Sequence, residues 1–298
     1  MLDKLLTEQR NPASAVIDTL PTEQVLAIMN AEDARVAGAV GAAIPAIARA
    51  VDSITAAMKV GGRLFYIGAG TSGRLGVLDA SECPPTFSVP YDMVQGIIAG
   101  GMDALYKATE ATEDDPASGI RDLLARGFGT ADVLCGIAAS GRTPYVLGAI
   151  GKARELGAVT VGISCSPDSE LSHAVDIPIE VLSGPEIVTG STRMKAGTAT
   201  KLVLNMLTTA SMIRLGYVYG NLMVNVQPKN EKLRERAKRI VRDASGVDDA
   251  RAAEVLAASG NVVRTAIVMA VRGVDRALAE DLLRSADGLV GRAIQEGK

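Results

Sequence analysis

The sequence predicts an α/β protein in which a doubly wound, mostly parallel sheet is flanked by helices. Between residues 61 and 228, short apolar and β-branched segments alternate with helical ones, which is typical of βαβ units. The stretches on either side carry helical periodicity without such alternation. We therefore predict a helical N-terminal segment (1–60), a ligand-binding α/β domain (61–228) and a small all-helical C-terminal subdomain (229–298).

Hydrophobic spacing assigns the individual elements. Apolar residues recur at intervals of three and four up to residue 59, as on one face of a helix. Strands are predicted at residues 63–67, 93–99, 132–138, 159–164 and 175–181. Helices are predicted at residues 73–80, 144–156 and 195–215, with short helices separated by glycines after residue 230. Ligands of such sheets bind outside the carboxyl ends of the strands, so a site is expected there.

The composition is that of an ordinary globular protein. Of the 298 residues, 48% are hydrophobic and 22% are charged, which excludes a disordered chain. The formal net charge is −3, so we expect no nucleic-acid partner. The longest apolar run, residues 36–48, is too short to cross about 30 Å of hydrocarbon, so we expect no membrane partner.

Histidine and cysteine usage argues against metal and disulfide chemistry. The chain has one histidine, His173, and three cysteines that are far apart in the sequence. This set gives neither a zinc site nor a disulfide framework. We therefore expect no bound metal and a reducing, cytoplasmic location.

The strongest local pattern is the segment 67–74, IGAGTSGR, which follows a predicted strand and opens a helix. It fits the G-x-G-x-x-G pattern of dinucleotide-binding proteins. However, the next strand ends without the acidic residue that would bind a ribose, and two hydroxyls stand where a pyrophosphate needs only glycine backbone. We interpret Gly70, Thr71 and Ser72 as ligands of one phosphate monoester and expect no nucleotide cofactor.

Two further strand ends carry hydroxyl groups. Ser140, Gly141 and Thr143 follow the third predicted strand, and Ser164 and Ser166 lie at the end of the fourth. Such groups at helix N-termini can bind a phosphate with help from the helix dipole, although Ser and Thr are also favoured there as N-caps. Three hydroxyl-bearing ends in one sheet favour a phosphate pocket.

Seven stretches together resemble a known family. They are TEQRNP at 7–12, GAGTSGRLG at 68–76, LDASECPPTF at 78–87, ATED at 111–114, ASGRTP at 139–144, GSTRMKAGT at 190–198 and YGNLMV at 219–224. The set resembles the sugar isomerase (SIS) domain and, within that superfamily, the N-acetylmuramic acid 6-phosphate etherase family over essentially the whole chain. One departure is Tyr217, where the family would have Lys.

The resemblance implies an SIS-type fold, with the sugar-phosphate-binding domain at residues 61–228, and it implies an activity. The family eliminates D-lactate from C3 of N-acetylmuramic acid 6-phosphate and adds water. This gives N-acetylglucosamine 6-phosphate in the recycling of cell-wall amino sugars. The resemblance also implies a cytoplasmic homodimer that acts on a small amino-sugar phosphate and needs no cofactor.

The resemblance singles out Glu82 and Glu113 as catalytic carboxylates. It suggests Glu82 as the acid that protonates lactate and Glu113 as the base at C2, roles that residue spacing alone leaves open. We expect Pro84 and Pro85 to stop the helix after Glu82 and to fix the backbone there. Glu113 lies in an acidic turn, where crowded acids can raise one another's pKa. The alternative is a solvated loop that caps the helix after Pro116.

Residues before the long predicted helix could form a further anion site. Ser191, with Thr192, Arg193 and Lys195, could hold the lactate carboxylate or a phosphate bound by a partner subunit. An interface or capping role is equally open. Glu186, which follows a Gly-Pro pair, could hold sugar hydroxyls.

Two other functions remain open at this level. A sugar-phosphate isomerase shares the C2 proton transfer but needs no acid for a departing ether, so lactate release distinguishes the two. A non-catalytic sugar-phosphate-sensing regulator would not need both glutamates. A DNA-binding version of it would need a basic N-terminal domain. Residues 1–60 hold five basic and seven acidic residues, which argues against that version.

Overall fold

The computed structural model describes residues 6–107, 112–227 and 230–295. The chain forms two compact units, one made of Met1–Glu82 and Tyr91–Thr208 and the other of Cys83–Pro90 and Thr209–Lys298. The first unit thus contains the N-terminal helices together with the whole predicted sheet. The three-part division expected from the sequence stays a prediction.

The first unit is built on a five-stranded parallel sheet, which confirms the predicted fold class. Its strands are β1 (Leu64–Gly68), β2 (Val94–Ile98), β3 (Val133–Ile137), β4 (Val159–Ser164) and β5 (Ile177–Glu180). They pair in the order β2-β1-β3-β4-β5, and every pair is parallel. All residues of β1 and β3 are buried, as expected for strands covered on both faces.

Helices connect and flank the strands. In chain order they begin with α1 (Thr22–Asp33), α2 (Val36–Lys59), α3 (Gly70–Phe87), α4 (Pro116–Ala125), α5 (Pro144–Glu155), α6 (Glu170–Ala174) and α7 (Lys195–Arg214). They continue with α8 (Glu231–Ser245), α9 (Asp249–Ala258), α10 (Val263–Arg272), α11 (Arg276–Ser285) and α12 (Val290–Gln295). A short antiparallel pair, β6 (Val218–Tyr219) and β7 (Leu222–Met223), follows α7. The predicted strands and long helices agree with these bounds within a few residues.

Helix α2 buries one apolar face and exposes the other. Val36, Val40 and Ile47 are buried, whereas Ile44 is 52% exposed. The stretch Thr22–Lys59 is long and apolar enough to cross a membrane by length and composition, and 33% of its apolar 18-residue part is buried. The core helix of a globular protein can be equally long and apolar. The buried face of α2 contacts β3 and β5, as the face of a core helix does.

Two glycines let α4 and α5 approach each other closely. A Cβ at Gly119 of α4 would lie 2.0 Å from the Tyr145 carbonyl oxygen, and one at Gly148 of α5 would lie 2.3 Å from the Pro116 carbonyl oxygen. A side chain at either position would push the helices apart. This contact fixes the acidic turn that precedes α4 against the start of α5.

An ion pair joins two strands at the amino edge of the sheet. Arg63 precedes β1 and Asp132 precedes β3, and Arg63 Nη2 lies 2.8 Å from Asp132 Oδ2. Asp132 is 5% exposed, and it also accepts hydrogen bonds from the backbone N–H groups of Arg63 and Gly129. The pair therefore holds the starts of two neighbouring strands, at the edge away from their carboxyl ends.

A buried carboxylate anchors helix α3. Asp79 accepts hydrogen bonds from Tyr66 Oη of β1 at 3.0 Å, and from Asn205 Nδ2 and Thr208 Oγ1 of α7 at 2.8 and 3.3 Å. Burial raises the pKa of Asp79, while its three donors oppose that shift. The cluster ties α3 and α7 to β1.

The two prolines near the end of α3 do not stop it, so that prediction was wrong. The helix runs through Pro84 and Pro85 and ends at Phe87. Each proline removes one backbone hydrogen bond, but its φ is already helical and the helix continues for only two residues beyond Pro85. The Ser88 N–H donates to the Pro84 carbonyl oxygen at 2.9 Å, and Ser88 takes a φ of +54°, so the helix ends there.

The second unit is mainly helical over the residues that the structure describes, as the sequence predicts. Its core joins α8 to α12 through fully buried residues such as Ala237, Val241 and Ala266. Gly246 and Gly273 adopt the left-handed C-cap conformation after α8 and α10. The glycines expected to separate the short helices therefore do so at these two positions.

Candidate functional site

The strand register brings the predicted loops to one edge of the sheet. Gly68 of β1 is opposite Ile137 of β3, and Ile137 is opposite Ile163 of β4. Neighbouring strands lie about 4.8 Å apart, so the segments that follow them start side by side. We call residues 69–73 the first loop and residues 139–143 the second loop.

The first loop has a shape that only small residues permit. Gly70 begins α3 with a φ of +52°, a conformation that favours glycine. A Cβ at Gly73 would lie 2.6 Å from the Gly68 carbonyl oxygen, so the first turn of α3 lies directly on the end of β1. Thr71 and Ser72 are half-buried in that turn, and among the described residues neither hydroxyl has a hydrogen-bond partner.

The second loop is fixed by the start of α6. Gly141 has a φ of +69°, and a Cβ there would lie 2.2 Å from the Ser169 Cβ. Ser169 caps α6, with its Oγ accepting from the Ser172 N–H. Ser140 and Thr143 are half-buried, and Thr143, at the N-cap of α5, makes no capping hydrogen bond with its side chain. The simple N-cap interpretation therefore does not explain Thr143.

The third hydroxyl-bearing strand end is structural, which corrects the expectation for Ser164 and Ser166. Both are 1% exposed, and their hydroxyls donate to the carbonyl oxygens of Ser166 and Ala139. The Cys165 N–H also donates to the Ala139 carbonyl oxygen, at 2.9 Å. Burial raises the pKa of the Cys165 thiol to about 12. Residues 164–166 therefore hold the second loop in place through hydrogen bonds to the Ala139 carbonyl oxygen.

Glu113 lies beside the second loop. Glu113 is half-buried in the turn before α4. Its backbone carbonyl oxygen accepts a hydrogen bond of 3.0 Å from the N–H of Tyr145, and Tyr145 is two residues after Thr143 of the second loop. Asp115 caps α4 through the Ala117 N–H, as the capping alternative expected. Crowding does not raise the pKa of Asp115. Its hydrogen bond from Ser118 is the largest effect and lowers that pKa.

Glu82 is not beside these loops within its own chain. It is exposed on α3, twelve residues after Gly70. At 1.5 Å per residue, this separation is about 18 Å along the helix. A crossover helix runs back along its strand, so Glu82 lies towards the opposite edge of the sheet.

Glu186 and Lys195 are both used inside the protein. Glu186 is 1% exposed, and its two oxygens accept from the backbone N–H groups of Lys195 and Ala196, each at 3.0 Å. Lys195 Nζ lies 2.6 Å from Glu32 Oε2. Lys195 and the first N–H groups of α7 are therefore not free to bind an anion, which corrects that part of the expectation. Ser191, half-buried before α7, makes no side-chain hydrogen bond within the described chain.

Comparison with known proteins supports the family suggested by the sequence. A family model of the glucokinase regulatory protein N-terminal SIS domain matches residues 46–154. N-acetylmuramic acid 6-phosphate etherase of Aeromonas hydrophila is 55% identical over 291 residues, covering 98% of each chain. The Brucella anthropi protein of that name is 52% identical and covers 100% of this chain and 97% of its own. The chain belongs to the N-acetylmuramic acid 6-phosphate etherase family.

Solved structures that match part of this etherase-family chain are more distant in sequence. The Vibrio vulnificus NanR protein complexed with ManNAc-6P is 15% identical, with a TM-score of 0.45 over 65% of this chain and 64% of its own. The E. coli CFT073 protein c3406, solved with a bound ligand, is 16% identical, with a TM-score of 0.48 over 68% of this chain and 97% of its own.

Sequence reasoning gave no role to two buried residues of this etherase-family chain, Asn11 and Glu32. Asn11 lies in the TEQRNP stretch and is 6% exposed, and Glu32 is 5% exposed on α1. A signal for Glu32 was present, because it follows Val25 and Met29 at helical spacing on the apolar face of α1. An acid on an apolar face indicates a buried partner, but spacing cannot name it.

The unpaired hydroxyls of the two loops generate a stability prediction. Ser72→Ala, Ser140→Ala and Thr143→Ala are each expected to lose less than about 0.5 kcal/mol of unfolding free energy, because none of the three hydroxyls has a hydrogen-bond partner among the described residues. Ser169→Ala, the matched control, is expected to lose about 1 kcal/mol because it removes a helix cap. Urea unfolding checks both values. Losses equal to that of the control would mean that the loop hydroxyls are structural caps.

Proposed function

We propose that the protein is a carbon–oxygen lyase that cleaves the D-lactyl ether of N-acetylmuramic acid 6-phosphate and yields N-acetylglucosamine 6-phosphate and D-lactate. The observation that carries the proposal is 55% identity over 98% of the chain to a relative of that name. The unpaired hydroxyls at the carboxyl edge of the sheet provide an independent reason to expect a phosphorylated substrate. The proposed setting is amino-sugar recycling in the cytoplasm, where the three buried free thiols would stay reduced.

The two loops would bind the 6-phosphate. Gly70, Thr71 and Ser72 offer backbone N–H groups and hydroxyls at the N-terminus of α3, and Ser140 and Thr143 offer hydroxyls before α5. The dipoles of both helices favour an anion at these ends. Gly141 supports this role through its positive φ, which lets the second loop turn sharply. Ser191 and Glu186 would serve the rest of the sugar, Ser191 as a ligand and Glu186 through the loop that it holds.

The reaction requires two carboxyl groups with different tasks. In the open-chain aldehyde the C2 proton is acidic, and Glu113, beside the second loop, would remove it. The C3–O bond to lactate then breaks, and Glu82 would protonate the departing oxygen. Water adds to C3 and a proton returns to C2, so atoms balance. Each proton transfer of this kind contributes about 10²–10⁴-fold to a rate. The aldehyde accepts the electron pair, so no metal or nucleotide is needed for this step.

The proposed active form is a homodimer in which Glu82 acts on the substrate of the other subunit. The length of α3 supports this, because about 18 Å between Gly70 and Glu82 exceeds the length of one hexose 6-phosphate. Exposed apolar residues of the N-terminal region support a second copy as partner. Val16, Leu26 and Ile44 are 60%, 57% and 52% exposed.

The activity itself is tested by D-lactate release from N-acetylmuramic acid 6-phosphate. We expect release with the phosphorylated sugar and at best a trace with the unphosphorylated one, because the phosphate provides the main binding energy. Ser72→Ala is expected to raise KM by about tenfold, the value of one hydrogen bond to a charged group. Activity should survive a chelator. Equal turnover of the phosphorylated and unphosphorylated sugars would refute the proposed role of the two loops in phosphate binding. Aldose–ketose conversion without lactate release would indicate an isomerase.

The roles of the two glutamates are separable because the product sugar also has a C2 proton. Glu82→Gln cannot donate the proton to lactate, so ether cleavage should collapse, while exchange of the product C2 proton with deuterium oxide should continue. Glu113→Gln should lose both activities. Proton NMR of N-acetylglucosamine 6-phosphate in deuterium oxide, beside a lactate assay, checks both variants. Loss of C2 exchange in Glu82→Gln with exchange kept in Glu113→Gln would mean that Glu82 is the base and Glu113 the acid.

Mixing the two inactive variants tests the shared site. If Glu82 acts across the dimer, a heterodimer of Glu82→Gln and Glu113→Gln has one intact site. Equal amounts that are unfolded and refolded together should recover about a quarter of the parent activity, because half of the dimers are mixed and each has one working site. Each variant refolded alone is the control. No recovery in a mixture that contains heterodimers would show that each site is built from one chain.

A further inference from the structure

A buried ion pair joins the N-terminal helix to the start of α7. Lys195 is 1% exposed, and its Nζ donates to Glu32 Oε2 at 2.6 Å. Glu32 is the buried residue of α1. The hydrogen bond from Lys195 is the main reason that the pKa of Glu32 lies below its usual value. The Glu32 carboxylate is therefore ionised at neutral pH.

Asn11 connects this pair to the segment that precedes α7. Its Nδ2 donates both to Glu32 Oε2, at 2.8 Å, and to the Pro185 carbonyl oxygen, at 3.1 Å. Its Oδ1 accepts from the Ala13 N–H at 2.9 Å. Both donors and the acceptor of one buried amide are thus used, which fixes the orientation of its side chain.

The contacts close into a ring. Glu186 follows Pro185, and its carboxylate accepts from the backbone N–H groups of Lys195 and Ala196. The path runs from Asn11 to Pro185 and Glu186, then to Lys195 and through Glu32 back to Asn11. We call these five residues the polar ring. Its members come from the N-terminal segment, α1, the segment after β5 and α7.

The polar ring fixes both ends of one loop. Residues 187–194 leave the ring at Glu186 and re-enter it at Lys195, and Ser191 lies between these two anchors. The first turn of α7 also faces the first loop. A Cβ at Gly197 would lie 3.5 Å from Thr71 Cγ2 and 3.7 Å from the Thr192 carbonyl oxygen. A shift of the ring would thus reach Ser191 directly and Thr71 through α7.

Stability alone does not account for a buried ion pair at this position. Apolar residues of similar volume often replace such pairs without loss of stability, because removing two charges from water is costly. The pair instead fixes the position of Lys195 relative to Glu32, because a buried ammonium group is favourable only where it contacts the carboxylate. The ring therefore fixes the relative positions of the residues that it joins.

We propose that Asn11 and Glu32 are positioning residues for the substrate site, acting through Lys195 on the loop that carries Ser191. The proposal rests on the proposed function for the identity of the substrate. It gives the TEQRNP stretch a physical role. Neither residue touches the substrate. Asn11 and Glu32 would therefore affect substrate binding by fixing the position of residues that contact the substrate.

The test compares Glu32→Gln and Asn11→Ala with Asp132→Asn. Asp132 is also a buried carboxylate paired with a cation, but it lies at the amino edge of the sheet. We expect at least about a fivefold increase in KM for both ring variants, because sub-ångström misplacement of ligands weakens binding. The Kd of N-acetylglucosamine 6-phosphate, measured by calorimetry, should rise equally. Asp132→Asn should lose unfolding free energy and keep its KM and Kd.

Asn11→Ala keeps the test valid if Glu32→Gln does not fold, because it removes no charge. The proposal is overturned if the folded ring variants change KM and Kd by less than about fivefold, or if Asp132→Asn changes them equally. If the parent protein releases no lactate, the proposed function fails. Calorimetry with N-acetylglucosamine 6-phosphate and with inorganic phosphate then still decides whether the ring positions an anion site.

Discussion

In-register parallel pairing of β1, β3 and β4 is the constraint on which the site depends. Because these strands are parallel, all of their carboxyl ends lie at one edge, and residues far apart in the sequence meet there. The strands are buried on both faces, so a one-residue slip would exchange the side chains packed on the two faces and disrupt the core packing. The Arg63–Asp132 pair at the amino edge opposes such a slip between β1 and β3. Loop positions therefore follow from the packing of the core.

Hydrogen bonding separates residues that build this edge from residues that are free to bind. Ser164, Ser166 and Ser169 use their hydroxyls on the protein itself, whereas Ser72 and Thr143 make no side-chain hydrogen bond within the part of the chain that the structure describes. Buried polar groups are costly when unpaired, so the structural hydroxyls are those that are deeply buried. The half-buried ones can be satisfied by water or by a ligand. This distinction supports a phosphate site formed by two loops, with the third segment as its support.

The sequence was sufficient wherever the deciding interactions are local. Hydrophobic runs gave the five strands within a few residues, and the glycines near 70 and 141 gave both loops. It was insufficient where a distant partner decides, as for Lys195, whose partner Glu32 is 163 residues away. The prolines after Glu82 misled because α3 continues through them to Phe87, where the Ser88 N–H donates to the Pro84 carbonyl oxygen. The separation of Glu82 from the first loop needed the bounds of α3, which runs over Gly70–Phe87 where the sequence predicted a helix only at residues 73–80.

Elimination at C3 is the central chemical claim, and reaction in water labelled with heavy oxygen tests it most directly. The account predicts unlabelled lactate and label at C3 of N-acetylglucosamine 6-phosphate, because the C3–O bond breaks and water adds to that carbon. Fragmentation in the mass spectrometer distinguishes C3 label from label that exchanges into the aldehyde at C1. Label in the lactate hydroxyl, with none at C3, would mean cleavage on the lactyl side of the ether and would contradict the two-carboxylate elimination.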